Sequence, residues 1–125
     1  MIAVGGFDGP AFVAELRQAL ARRPTAERFV YFGPSHITEV PPVVDEPGVI
    51  VVRGLRLTDT CKEVVDGLVR RTVPRERLVE LKGPWVCSRE TIQLALDRVV
   101  ADSGEITNIL DLSRVARLRM KVIAS

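Results

Sequence analysis

The sequence predicts an α/β protein, with a mostly parallel sheet carrying helices on its faces. Three observations predict it. Short apolar runs of strand length alternate with stretches of helical period. The helical stretches carry start and stop residues where a helix needs them. And an Asp-Gly pair sits between two strand-like runs, the signature of a tight hairpin.

The elements follow in order. Residues 2–4 form a short apolar run closed by Gly5 and Gly6, a buried strand entering a loop. Asp8-Gly9-Pro10 opens a helix, because proline is tolerated in a first turn whose N–H would be unpaired anyway. Phe12, Val13, Leu16, Ala19 and Leu20 give that helix one apolar face, and Arg22-Arg23-Pro24 ends it. Residues 28–32 read as a strand rich in aromatic and β-branched side chains. Residues 33–48 are proline-rich and lack periodicity, so they read as a long loop covering the sheet. Residues 49–52 are a continuous apolar strand.

Residues 57–65 and 68–73 flank Asp66-Gly67 and read as a hairpin with a type I′ turn. Such an arm is marginal alone and must lie on its own domain or on a partner. After Pro84-Trp85, Ser88 caps a helix with Glu90 in its first turn and Ile92, Ala95, Leu96, Val99 and Val100 as its stripe. Gly104 ends that segment. Thr107 caps a last short helix carrying Leu110, Leu112, Val115 and Leu118, and residues 121–124 form a final strand.

Length and composition narrow the function. At 125 residues the chain is one domain. Apolar residues are 46% and charged ones 27%, ordinary values for a folded globular protein. A net charge of +2 does not supply the concentrated basic face that nucleic acid requires. No apolar run approaches the ~20 residues of a membrane span. The N-terminus lacks the basic flank and apolar core of a signal peptide, so a cytoplasmic location is expected. Cys61, Cys87 and His36 lack metal-site spacing, and the thiols read as reduced and at least half-buried. No metal or cofactor is expected.

Residues 57–64 (Leu-Thr-Asp-Thr-Cys-Lys-Glu-Val) match the pattern V-T-D-T-I-K-x-V. Thr72-Val73-Pro74-Arg75-Glu76-Arg77-Leu78 follows as T-V-D/P-R-x-x-L. Gly83-Pro84-Trp85 then falls on Thr-Pro-Gln, Ile106-Thr107-Asn108 on I/V-T-D, and residues 5–10 on His-Asp-Ala-Ala-Arg-Pro. In this order and spacing the series resembles the second half of the methylerythritol phosphate cytidylyltransferases. The resemblance implies a partial Rossmann-like nucleotidyltransferase fold, a protruding arm over about residues 57–75, and a homodimer formed through that arm. It also implies substrate contacts at Thr60, Arg75 and Thr107, where a small phosphorylated ligand would bind.

Departures from the pattern matter as much. The family's substrate-binding Asp and Arg fall on Gly6 and Gly9, its arm-following Thr on Gly83, and the Asp after Thr107 on Asn108. The glycine-rich nucleotide loop with its catalytic Arg and Lys has no counterpart, and no catalytic residue is assigned. Cytidylyl transfer needs positive groups and a metal to neutralise a triphosphate. The expectation is a non-catalytic binding or interaction domain. The alternative is the substrate-binding and dimerisation half of a split cytidylyltransferase.

Overall fold

The computed structural model describes residues 1–5, 8–33, 41–42, 44–57, 61–74, 78–99 and 105–124. In chain order the elements are β1 (Ile2–Val4), α1 (Phe12–Ala21), β2 (Phe29–Phe32), β3 (Val49–Arg56), β4 (Cys61–Val65), β5 (Leu68–Val73), β6 (Val79–Ser88), α2 (Arg89–Arg98), α3 (Ile109–Val115) and β7 (Arg119–Ala124). A five-stranded sheet has the order β1-β2-β6-β3-β7. β1 pairs with β2, and β3 with β7, in parallel. β6 runs antiparallel to both β2 and β3. Four strands therefore share one direction and the central one opposes them.

That central strand is absent from the sequence reading. Val79-Glu80-Leu81-Lys82 alternates as a strand should, but Gly83-Pro84 reads locally as the end of the run, since proline removes a ladder donor. The chain resolves the conflict with a bulge. Trp85 faces Val52 and Leu81 faces Gly54, so β6 advances four residues while β3 advances two. The surplus absorbs Gly83-Pro84, and the strand resumes on either side.

The α/β class with a mostly parallel sheet is as expected, and all three helices lie on one face of it. The core joins alternate strand residues (Ile2, Val4, Val30, Phe32, Ile50, Val52, Trp85, Cys87) to Phe12 and Leu16 of α1, Ile92 and Leu96 of α2, and Ile109 and Leu112 of α3. Tyr31, Val51 and Val86, on the opposite phase of the same strands, are buried but outside this cluster. Leu16, Ile92 and Leu112 are completely buried; each such side chain stabilises the fold by about 1.5–3 kcal/mol.

Arginines stitch the helical layer. Arg17 donates from α1 to the Leu96 carbonyl (2.9 Å), and Arg98 donates from α2 to the Ala116 carbonyl (2.8 Å). Ser88 caps α2 as expected, accepting from the Thr91 amide at 3.1 Å. Two details of the helices differ from expectation. Asn108 caps α3, accepting from the Asp111 amide at 2.9 Å, one residue after Thr107. And α3 turns Ile109, Leu112 and Ala116 inward, leaving Val115 53% exposed. No described helix is long and apolar enough to cross a membrane.

The hairpin stands apart as a two-stranded sheet of β4 and β5. Asp66 has φ 52° and Gly67 φ 78°, the pair of positive values a type I′ turn requires. A bulge lies between Glu63 and Val64, so Arg70 falls between the pairs Val64–Val69 and Glu63–Arg71. Glu63 is bracketed as a result, with Arg71 Nε on one carboxylate oxygen and Arg70 Nη1 3.9 Å from the other. Strict alternation would have put Val69 and Arg71 on one face. The bulge instead pairs Val69 with Val64 and Arg71 with Glu63.

Candidate functional site

A cleft of about 240 Å³ opens where β1 and β2 end and α1 and α3 begin. In sheets of this kind, ligands bind outside the carboxyl ends of the strands. Val4 and Gly5 line it from the end of β1, Phe32 and Gly33 from the end of β2, and Lys82, Gly83 and Trp85 from β6. Asp8, Phe12 and Ile109 complete the wall.

The strand ends approach closely because two glycines permit it. The Gly33 amide donates to the Val4 carbonyl at 3.3 Å. A Cβ on Gly5 would lie 2.7 Å from the Gly33 carbonyl oxygen, and one on Gly33 would lie 2.9 Å from the Tyr31 hydroxyl. Gly83 has φ 74°, and a Cβ there would sit 3.2 Å from Trp85 Cδ1. The glycine that replaces the family's threonine is therefore matched to its backbone, and a threonine would be strained there.

On the α3 side Ile109 lines the cleft, and Thr107, two residues before it, is not part of that lining. Its carbonyl accepts from the Gly9 amide at 2.8 Å, which ties the loop before α1 to the loop before α3. Its hydroxyl and amide both donate to Asp111 Oδ2, at 3.0 and 3.1 Å. Asp111 thus braces the turn that places Thr107. Thr60 and Arg75, the other two sequence-derived contacts, lie outside the described residues, as do Gly6 and His36. Lys62, whose position the resemblance also matched, donates to Thr72 Oγ1 on the hairpin at 2.7 Å.

Sequence reasoning missed Gly33 and Lys82. Gly33 had a signal, since it closes an apolar run just before a proline. Lys82 had none, because its place depends on the bulge. Trp85 is buried in the core and forms part of the cleft wall. Neither cysteine forms a disulfide; Cys61 is half-buried and Cys87 fully buried. Burial pushes the Cys87 thiol far above the ordinary cysteine range.

Chemically, the cleft combines a backbone-lined floor, one lysine and one carboxylate. The N-cap of α1, Ala11, offers no side-chain acceptor, so that helix presents its positive end uncapped towards the Asp8 side.

No protein-family model matches the chain. Among curated proteins, the bifunctional enzyme IspD/IspF of Lawsonia intracellularis (strain PHE/MN1-00) is 30% identical over 93 residues, which is 74% of this chain and 23% of that protein. Among solved structures, 4-diphosphocytidyl-2C-methyl-D-erythritol synthase from Anaerococcus prevotii DSM 20548 superposes with a TM-score of 0.64 at 14% identity. That match covers 90% of this chain and 56% of the other. The 2-C-methyl-D-erythritol 4-phosphate cytidylyltransferase (IspD) of Francisella tularensis gives 0.58 at 13% identity, covering 90% and 58%. At these identities the structural likeness is one of fold. The chain spans less than a quarter of the curated relative and just over half of the structural ones.

Proposed function

The chain is a relative of the methylerythritol phosphate cytidylyltransferases, and we propose that it works as a non-catalytic, homodimeric binding protein for a small phosphorylated ligand. The cleft at the ends of β1 and β2 is the observation that carries this reading. It has a floor of glycine backbone that can approach a ligand closely and Lys82 in its lining. Thr107, two residues before the lining residue Ile109, is a proposed contact from the adjoining loop. Thr60 and Arg75 complete the proposed contact set. A planar guanidinium at Arg75 suits a phosphate, which it can grip with two hydrogen bonds. The non-catalytic part of the reading is supported by glycine at positions 6, 9 and 83, where the family pattern carries substrate-binding side chains.

The dimer is proposed through the hairpin. Val64 pairs with Val69, and Val65 with Leu68, so adjacent apolar pairs occupy both faces of its tip. Leu68 is 73% exposed and Val69 64%. A second copy would cover them.

Thermal melts with methylerythritol phosphate, other polyol phosphates and CTP with magnesium test the reading. A ligand at about a hundred times its dissociation constant stabilises the native state by about 2.7 kcal/mol. A rise of several degrees with a polyol phosphate and none with CTP is the expected result. A second reading, the substrate-binding half of a split cytidylyltransferase, is favoured by what the relatives are named for. A rise with CTP and magnesium would move the conclusion to it. No rise with any phosphate would end the ligand-binding reading.

A further inference from the structure

The bulge in β6 falls on the stretch of that strand that extends beyond β2. The last residue of β2, Phe32, faces Trp85, and the next pairing of β6 is with β3 at Leu81. Lys82, Gly83 and Pro84 lie between these points, and Lys82 and Gly83 line the cleft. Bulges commonly re-aim a side chain at the edge of a site. Among the described residues lining this cleft, Lys82 is the one cation, and Asp8 is the other charged group. Lys82 Nζ rests 3.0 Å from Glu80 Oε1, two residues back on the same strand, and both side chains are about half exposed. A pair this exposed is weak and exchanges readily for a better anion. Lysine suits the exchange, being a compact charge on a flexible stem.

We propose that Lys82 is the anion-binding side chain of the cleft, held by Glu80 when the cleft is empty and transferred to the phosphate of the ligand when it is filled. The proposal rests on the ligand-binding reading of the cleft and adds to it a residue that the family pattern does not supply. Glu80 acts as an internal competitor, so the two side chains have opposite effects on affinity.

The test is a titration of the full chain with glycerol 3-phosphate and with inorganic phosphate, followed by calorimetry and by the ¹H–¹³C signal of the Lys82 ε-methylene. Wild type is compared with Lys82→Met, Lys82→Arg and Glu80→Gln, each checked for folding by circular dichroism. Lys82→Met should weaken binding about tenfold or more, since a charge-assisted contact is lost. Lys82→Arg should keep most of the affinity, Glu80→Gln should tighten binding a few-fold, and the Lys82 signal should shift on titration. If wild type binds and Lys82→Met binds equally, the assignment to Lys82 is overturned while the cleft reading stands. If wild type binds neither probe, the cleft reading falls and takes the assignment with it.

Discussion

Gly5 and Gly33 meet backbone to backbone in the floor of the cleft, so that a Cβ on Gly5 would stand 2.7 Å from the Gly33 carbonyl oxygen. The parallel pairing of β1 with β2, Val4 opposite Phe32, brings the two strand ends to this point. Neither contact atom belongs to a flexible side chain, so a larger residue must push the strand ends apart. Gly5→Ala should cost about 1–3 kcal/mol, the usual range for overpacking. It should also change the fluorescence of Trp85, the single tryptophan, whose side chain is part of the same cleft. Urea denaturation followed at the tryptophan wavelength measures both. An unchanged midpoint would show that the strand ends have more room than their separation implies.

Arg89 supports the layer on which the cleft is built. Its Nη2 donates to the Leu20 carbonyl (2.5 Å) and its Nη1 to the Pro24 carbonyl (2.7 Å), so the first residue of α2 closes the C-terminal end of α1 and the turn after it. Both carbonyls also accept backbone amides, Leu20 from Arg23 (3.2 Å) and Pro24 from Glu27 (3.0 Å), so the guanidinium adds charge-assisted bonds to turns that backbone bonds also close. Arg89→Met should cost about 1.5–3 kcal/mol, from the charge-assisted bonds it loses. Arg23→Ala removes only an exposed ion pair with Glu27 and should cost under about 1 kcal/mol. Thermal melts of both variants, side by side, test the ranking; equal losses would refute it.

What was legible in the sequence follows from how local each signal is. Ser88 caps its helix through a bond three residues away, and Asp66-Gly67 sets its turn through its own φ angles, so both read correctly from a few neighbours. β6 did not, because Gly83-Pro84 is a stop signal locally and a bulge only once β3 lies beside it. The inward face of α3 fails for a similar reason. Val115 fits a helical stripe, yet the core lies under Ala116, and only the position of the sheet decides between them. The candidate site shares this limit. Thr107 was expected from an ordered series of residues, and Gly33 carried a local signal before its proline, whereas Lys82 reaches the cleft through a strand pairing that no local pattern encodes.

Cys87 makes stability depend on alkaline pH. It is fully buried between β2 and β3, and desolvation raises its pKa in the folded state. Folding therefore holds the proton, while the unfolded chain releases it above roughly pH 8.5. The sign is fixed: the native state binds more protons there, so stability falls as pH rises through and above that value. The loss should approach about 1.4 kcal/mol per pH unit for this one group. Cys87→Ala should lower stability at neutral pH by leaving a small cavity, and should flatten the decline between about pH 8.5 and 10. Denaturant midpoints across that range measure it. A slope that survives the substitution would assign the effect to another group.

The arm supplies the sharpest test of assembly. In the hairpin tip, Val65 and Leu68 face one way and Val64 and Val69 the other, with Leu68 the most exposed of the four. Exposed apolar pairs on both faces of a thin sheet favour a partner that clasps it. Leu68→Asp with Val69→Asp should convert a dimer to a monomer in light scattering at tens of micromolar. The turn itself, Asp66-Gly67, is untouched by these changes, and the helical layer is far from them in the chain, so the melting of α1 and α2 at low concentration should shift by less than a few degrees. Replacing Gly67 with valine should have a different signature. The positive φ of 78° resists a β-branched residue, so the hairpin itself should loosen and hydrogen exchange should quicken in β4 and β5. A wild-type chain that is monomeric at these concentrations would remove the arm from assembly altogether and leave its apolar tip to a different protein.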